Sequence, residues 1–134
     1  MIYMKQIHLL AFVGLISLAS CSAEKKLERR VRGTWTISRY EEKNVNGPSG
    51  VSTNLGSITF NKDHTGVKKI SGIVWRQSAQ EGSEFKWEVG NNTVTIQSPG
   101  STFAKTWIIT RNKKSTQEWR STSRGDVQTV LMKR

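Results

Sequence analysis

Short segments of alternating apolar and polar residues, each ended by residues typical of turns, follow Gly33 and continue to the end of the chain. Trp35 and Ile37 alternate with polar neighbours in the first segment, and Trp87 and Val89 do so in a later one. An alternation with a period of two places the apolar side chains on one face of a β-strand. No stretch keeps a helical apolar period for three turns, so the sequence predicts an all-β domain.

Eight such segments are separated mostly by connections of two to five residues. They lie at 34–42, 57–62, 67–77, 85–89, 94–96, 102–110, 117–121 and in a last stretch that ends near 132. Short connections favour antiparallel neighbours, and closing eight strands into a ring removes both exposed sheet edges. We predict an eight-stranded antiparallel up-and-down barrel, with a flattened sandwich or a half-open barrel as the alternative.

The N-terminus has the pattern of a secretory signal. Lys5 is followed by an apolar run over residues 9–18. Ten helical residues reach about 15 Å, which is half of a bilayer core of about 30 Å. We therefore predict that residues 1–20 are a signal peptide. Initiation at Met1 or at Met4 would leave this signal intact.

The apolar run ends in Leu18-Ala19-Ser20-Cys21, which resembles the lipobox of bacterial lipoproteins. The resemblance implies that the Cys21 thiol receives a diacylglyceryl group and that cleavage before it leaves a lipid anchor on a membrane of the bacterial cell envelope. Cys21 is the only cysteine, so no disulfide partner exists in the chain. The residues that follow lack the acidic run associated with surface export, and we expect the protein to face the periplasm.

Residues 21–32 form a charged segment between the lipobox and the first strand. Leu27 and Val31 stand four residues apart and would share one face of a helix. Ser22 suits the N-cap of such a helix and Gly33 suits the position after its end. The segment is either this short helix or a flexible basic tether, and residues 33–134 form the barrel domain.

Gly33-Thr34-Trp35 resembles the Gly-x-Trp opening of lipocalin-like barrels. The order of lipobox, charged segment and Gly-x-Trp is similar to that of small Bacteroidota lipoproteins with a lipocalin-like domain. The resemblance implies that Trp35 closes one end of the barrel. It also implies that a late arginine, either Arg111 or Arg120, stacks on the indole ring.

The five tryptophans are spread over five of the predicted strands. Each indole would bury about 150 to 250 Å² in a core. The simplest interpretation is that they fill the barrel. The alternative is that Trp75, Trp87 and Trp107 line a cavity for an apolar or sugar-like ligand, because an eight-stranded barrel can be filled or hollow.

No catalytic or metal-binding pattern is present in the sequence. His64 is the only histidine beyond the signal, and it lies in a turn between Asp63 and Gly66. A metal site needs several convergent ligands, and a catalytic triad needs a nucleophile. The adhesion-like tripeptide Arg124-Gly125-Asp126 is predicted to be a hairpin loop. We expect no enzymatic activity, no cofactor and no metal.

Positive charge is concentrated at the two ends of the predicted mature chain, whose parent sequence has a net charge of +11. Residues 21–32 carry five basic and two acidic side chains, and residues 101–134 carry eight and two. A closed barrel brings its ends together, so we expect one basic patch near the anchor. Its expected members are Arg29, Arg30, Arg32, Lys113 and Lys114, whereas Lys62, Lys68 and Lys69 are expected to be surface lysines elsewhere. The alternative is ordinary solubilising charge.

Two functions follow as hypotheses. The first is a non-enzymatic, membrane-tethered module that binds a small ligand or an envelope protein. The second is a structural or accessory lipoprotein whose basic face associates with anionic lipid or envelope polysaccharide. Nucleic acid is not an expected partner in this compartment.

Overall fold

The computed structural model describes residues 22–74, 77–98, 101 and 103–134. One helix, α1, covers residues 22–31 and leads directly into the first of eight strands. The strands are β1 (Gly33–Lys43), β2 (Gly50–Phe60), β3 (Thr65–Val74), β4 (Gln77–Gly90), β5 (Thr93–Gln97), β6 (Thr106–Asn112), β7 (Thr116–Ser123) and β8 (Asp126–Lys133). No helix among the described residues combines the length and the hydropathy needed to cross a bilayer.

Each strand pairs antiparallel with the next one in sequence, and β1 pairs with β8 to close the barrel. The closing register runs from Thr36 opposite Lys133 to Lys43 opposite Val127. The prediction of an eight-stranded antiparallel up-and-down barrel with a short helix is confirmed. The open alternatives are excluded because β1 has a hydrogen-bonded neighbour on both sides.

The two ends of the barrel are built differently. Helix α1 lies at the end that carries the β2–β3, β4–β5 and β6–β7 turns, where its Leu27 and Val31 are buried. We call this the helix end. The opposite end carries the β1–β2, β5–β6 and β7–β8 connections, and we call it the loop end.

A β-bulge at Ser38 changes which residues of β1 face the interior. Trp35 and Ile37 are buried before the bulge, and Tyr40 is buried after it. The register of β1 shifts at the same point against both β2 and β8, and the Ser38 hydroxyl donates to the carbonyl of Leu131 at 3.0 Å. The bulge therefore directs Tyr40 into the interior, where a regular strand would have placed it outside.

An aromatic cluster fills the interior towards the helix end. The Phe60 ring lies at its centre, with centroid distances of 5.5 Å to Phe85, 5.3 Å to Trp87 and 5.5 Å to Trp119. Edge-to-face and tilted pairs at this spacing add stabilisation beyond the burial of their area. The cluster leaves room for no side chain at Gly66, where an added Cβ would lie 2.2 Å from the Phe85 ring.

Two strand boundaries differ from the sequence prediction. Strand β4 begins at Gln77 and includes the polar stretch 78–84, which the alternation rule assigned to a connection. Backbone pairing such as Ile70 opposite Glu81 sustains a strand without any apolar alternation. Strand β6 begins at Thr106 and not near residue 102, because a turn at the loop end occupies the preceding residues.

Candidate functional site at the loop end

Buried and half-buried polar side chains lie towards the loop end, most of them in phase with the buried apolar residues of their strands and two of them, Ser98 and Lys105, in the β5–β6 connection. They are Tyr40, Lys68, Ser98, Lys105, Ser121 and Gln128. Burying a polar group costs free energy unless it finds a partner. A polar layer inside a barrel therefore lowers stability relative to an apolar one. Residues that are retained at such a cost are candidates for a functional site.

Lys68 is the most deeply buried charged side chain of this layer, with 1% of its surface exposed. It lies on β3 between the interior positions Gly66 and Ile70. Its ammonium group donates to the Ser98 hydroxyl at 3.1 Å. The expectation that Lys68 is a surface lysine is wrong, since the alternation along β3 directs it inward.

Lys105 is a second cation of the same layer. Its ammonium group donates to the Gln128 side-chain oxygen at 3.0 Å and lies 5.2 Å from the centroid of the Trp107 ring. Burial lowers the pKa of Lys105 below its usual range, and the Glu42 carboxylate acts in the opposite direction. Lys105 forms no ion pair within the described parts of the chain, so its direct contacts are neutral, while the Glu42 carboxylate acts on it from a greater distance.

The Trp107 ring beneath the Lys105 ammonium group belongs to a row of three aromatic rings. The Phe103 ring packs edge-on to Tyr40 at 5.9 Å and lies tilted against Trp107 at 6.0 Å. Burial raises the pKa of the Tyr40 hydroxyl far above its usual range, with the Glu42 carboxylate acting in the same direction. Phe103 belongs to a turn that carries its side chain over the loop end, and it covers both rings.

The structure separates two of the tryptophans predicted to line a cavity. Trp107 lies beside Lys105 at the loop end, and its indole N–H donates to the carbonyl of Phe103 at 3.0 Å. Trp87 lies at the helix end, where its N–H donates to the carbonyls of Asn61 and Thr65. Both rings are fully buried. Only Trp107 is placed next to the polar layer, and Trp75 lies outside the described residues.

Gly33 and Trp35 lie where β1 leaves helix α1. The buried Trp35 indole N–H donates to the carbonyl of Val31 at 2.8 Å, and the Arg134 guanidinium lies 4.1 Å from the ring centroid. Gly33 has a φ of +109°, and a Cβ there would approach Arg134 to 2.9 Å. The cation on Trp35 is therefore Arg134, and neither of the two arginines that the family resemblance offered.

Arg134 also binds the end of helix α1. Its guanidinium donates to the carbonyl of Arg32 at 2.6 Å and to that of Arg30 at 3.2 Å, and its Nε donates to the carbonyl of Lys114. These carbonyls carry the partial negative charge of a helix C-terminus. One side chain thus fixes the helix, β1 and the β6–β7 turn to one another.

His64 and the Arg124-Gly125-Asp126 tripeptide both lie in turns. His64 also reaches helix α1, where its ring nitrogen pairs with the Glu28 carboxylate. Asp126 accepts a hydrogen bond from the backbone N–H of Val45 at 3.0 Å, which ties the β1–β2 loop to the β7–β8 turn. Among the described residues, no three His, Cys, Asp or Glu side chains converge on one point.

Five cationic side chains line a cleft of about 370 Å³ on the outside of the helix end, which we call the basic cleft. They are Lys26, Arg29, Arg30, Lys114 and Arg134. Three of them belong to the patch expected from the sequence. The other two expected members, Arg32 and Lys113, do not line the cleft. Arg32 pairs instead with Glu28 at 3.7 Å.

Sequence reasoning did not assign Lys105, Phe103 or Arg134 to any site. The signal for Lys105 was its spacing of two residues from Trp107, which is the spacing of side chains on one face of a strand. Phe103 gave no such signal, because it lies in a turn. Cys21, the predicted lipidation site, lies outside the described residues.

No protein-family model, curated protein or solved structure matches this chain.

Proposed function

We propose that the protein is a non-enzymatic, lipid-anchored module of the bacterial envelope that binds a small ligand at the loop end of its barrel. The observation that carries the ligand proposal is Lys105. Its ammonium group is half-buried, rests over the Trp107 ring and has a neutral side chain, Gln128, as its hydrogen-bond partner. A buried cation held by neutral groups gains most from a ligand that brings a negative charge.

The ligand supported by these contacts has an anionic group and an apolar body. The anionic group would pair with the Lys105 ammonium, and the Lys68–Ser98 hydrogen bond belongs to the same polar layer. The apolar body would take the place of the Phe103 ring against Tyr40 and Trp107. A fatty carboxylate is the simplest molecule with this chemistry.

Entry of the ligand requires displacement of Phe103. In the described part of this turn, backbone hydrogen bonds run from Ser101 to Ser98, from Ala104 to Ser101 and from Lys105 to Phe103, and the Phe103 N–H donates to the Ser101 hydroxyl. Rotation of the Phe103 side chain out of the site would break its two ring contacts but would leave these hydrogen bonds and the pairing between strands in place. Displacement of this side chain therefore costs little compared with opening the barrel.

The test uses the full-length protein with Cys21→Ser, so that no attached lipid competes for the site. Decanoate, and decanol as its uncharged analogue, are titrated below their aggregation limits while tryptophan fluorescence is recorded. We expect saturable binding of decanoate with an affinity about ten-fold above that of decanol, since hydrogen bonds to charged groups contribute about 1.5 to 3 kcal/mol.

Two variants locate the site. Lys105→Met should abolish the preference for decanoate over decanol while keeping the binding of decanol. Phe103→Ala should raise the affinity for both compounds, because the ring that occupies the site has been removed. Absence of saturable binding, or an unchanged preference in Lys105→Met, would reject the proposed ligand site.

The anchor is the second part of the proposal. Helix α1 starts directly after Cys21, and Arg134 ties its last residues to the barrel, so an anchor on Cys21 would place the helix end towards the membrane. Metabolic labelling with a fatty acid should mark the protein and should fail with Cys21→Ser. Persistent labelling of the variant would reject the anchor without affecting the ligand test.

An accessory lipoprotein that associates with anionic lipid or envelope polysaccharide is the alternative function. The basic cleft favours it, because five cations are gathered at the end of the barrel nearest to Cys21. The two functions use opposite ends of the barrel, and each can be tested with the other site intact.

A further inference from the structure

We propose that the basic cleft binds the phosphate groups of anionic phospholipids and thereby sets the orientation of the barrel on the membrane. This inference deepens the alternative function and rests on it for the presence of a lipid surface. The residues that line the cleft determine which chemical groups it can bind, and the position of the cleft at the helix end determines the orientation.

The cleft combines cations from three parts of the chain. Helix α1 contributes Lys26, Arg29 and Arg30, the β6–β7 turn contributes Lys114, and Arg134 follows β8. No carboxylate belongs to the lining. Arginine guanidinium groups bind phosphate oxygens through two parallel hydrogen bonds, whereas lysine acts as a point charge. A phosphate in the cleft would meet both kinds of donor.

The two acidic side chains of helix α1 do not line the basic cleft. Glu28 faces the β2–β3 turn, where it pairs with His64 and Arg32. Glu24 lines neighbouring clefts but does not line the basic cleft. Glu28 is therefore engaged by His64 and Arg32, and Glu24 shares a neighbouring cleft with Lys26 and Arg30, so the lining of the basic cleft itself carries only positive charge.

Four of the five cations have side chains with no carboxylate partner in the portion of the chain that the structure describes. They are Lys26, Arg29, Arg30 and Lys114. The fifth, Arg134, has its guanidinium on backbone carbonyls and on the Trp35 ring, and it adds charge while holding the cleft in shape. The cleft thus has four cations ready to pair with external anions and one that positions them.

The position of the cleft agrees with a membrane as the source of phosphate. Arg29 is eight residues beyond Cys21, which corresponds to about 12 Å along a helix. A surface that holds residue 21 would be within about one or two Debye lengths of this side chain at physiological salt. A soluble phosphate compound would need a high concentration to occupy the cleft, whereas phospholipid headgroups are present at high density at this surface.

The experiment measures how the full-length Cys21→Ser protein partitions onto two kinds of vesicle. One kind is pure phosphatidylcholine, and the other contains phosphatidylglycerol at one third of the lipid. The ratio of the two partition coefficients removes the apolar contribution of the N-terminal segment, and the comparison of variants removes the contribution of Lys5, which all of them retain. We expect a ratio well above one that falls towards one as salt shortens the Debye length from about 8 Å to about 3 Å.

The triple variant Arg29→Gln, Arg30→Gln, Lys114→Gln should lower this ratio by at least about ten-fold, since each basic residue near an anionic surface contributes about a five-fold change in binding. Arg134 is kept because it holds the helix. The matched control is Lys62→Gln, Lys69→Gln, Lys86→Gln, which removes three exposed charges outside the cleft. The control should change the ratio by less than about three-fold.

Each other outcome overturns the inference in a recognisable way. Equal losses in both triple variants would show that general basicity drives the binding. A ratio near one for the unsubstituted protein would exclude anionic lipid as the partner. Full competition by millimolar glycerol phosphate would assign the cleft to a soluble phosphate compound. None of these results affects fatty-acid labelling at Cys21 or decanoate binding at Lys105.

Discussion

The helix end and the loop end place their cations in opposite ways. At the helix end, aromatic side chains fill the interior and the cations lie outside, in the basic cleft. At the loop end, the buried Lys68 ammonium group donates to the Ser98 hydroxyl, and the half-buried Lys105 ammonium group donates to the Gln128 side-chain oxygen. Polar side chains are buried at both ends, since Gln117 is fully buried at the helix end, and the difference is that the polar layer of the loop end includes lysines.

The two ends differ in the free-energy cost of the polar groups that they bury. All four described tryptophans have hydrogen-bonded indole N–H groups, so their burial carries no cost of an unmet donor. The interior lysines do carry a desolvation cost, which a more apolar sequence would avoid. The anionic ligand proposed for the loop end would offset this cost, and the binding experiment with Lys105→Met tests that proposal.

The largest expected effect comes from Trp35→Ala at the helix end. The ring is fully buried, donates a hydrogen bond to Val31 and supports the Arg134 guanidinium. We expect a loss of about 3 to 5 kcal/mol in the free energy of unfolding, measured by urea denaturation. The control is Val45→Ala, whose side chain is 63% exposed and should change stability by less than about 0.5 kcal/mol. Equally small losses of stability in Trp35→Ala and Val45→Ala would show that the aromatic side chains at the helix end do not stabilise the barrel as their burial implies.

Arg134→Ala should have an intermediate effect. It removes the cation over Trp35 and the donors to the last carbonyls of helix α1, which together contribute about 1 to 2 kcal/mol. Amide exchange in helix α1 should accelerate while that in the central strands is unchanged. Arg134→Lys keeps the charge without the planar fork and should restore less than half of the loss. Full restoration by lysine would show that charge alone fastens the helix.

The smallest expected effect is spectroscopic and concerns the loop end. Tyr40 and Tyr3 are the two tyrosines of the chain, so Tyr3→Phe leaves Tyr40 as the only phenol. Its raised pKa means that the folded protein keeps the proton above pH 10, where the unfolded chain loses it. Tyrosinate absorbance should appear only above the usual midpoint, and stability should fall as the pH rises above about 10. A midpoint at pH 10 would show that water reaches the loop end freely.

The strands and their order were predictable from the sequence because alternation and short turns act locally, whereas closure was favoured but is decided only by the pairing of β1 with β8. Strand β4 was not predictable over its polar part, because its pairing with β3 depends on backbone hydrogen bonds that any sequence can form. The bulge at Ser38 was also not predictable from the sequence. It moves Tyr40 inward through one extra residue, and no composition rule marks such a position.

The candidate site was predictable only in part. Trp107 was selected because aromatic residues are common in ligand cavities, and the structure places it beside Lys105. Lys68 was assigned to the surface because lysines are rarely buried, and the phase of β3 overrides that expectation. Arg134 was missed because its contacts with Arg30 and Arg32 span more than a hundred residues, which no local pattern encodes.

The pairing of β1 with β8 has a consequence for the order of folding. The paired residues are separated by 84 to 97 positions along the chain, so this seam closes only when nearly the whole domain is present. Contacts of such long range slow folding, because the chain must lose the entropy of a large loop before it gains them. During synthesis, or during passage through a narrow channel from the N-terminus, β1 keeps one unpaired edge until the last strand arrives. The closed barrel can therefore form only after β8 has become available to pair with β1.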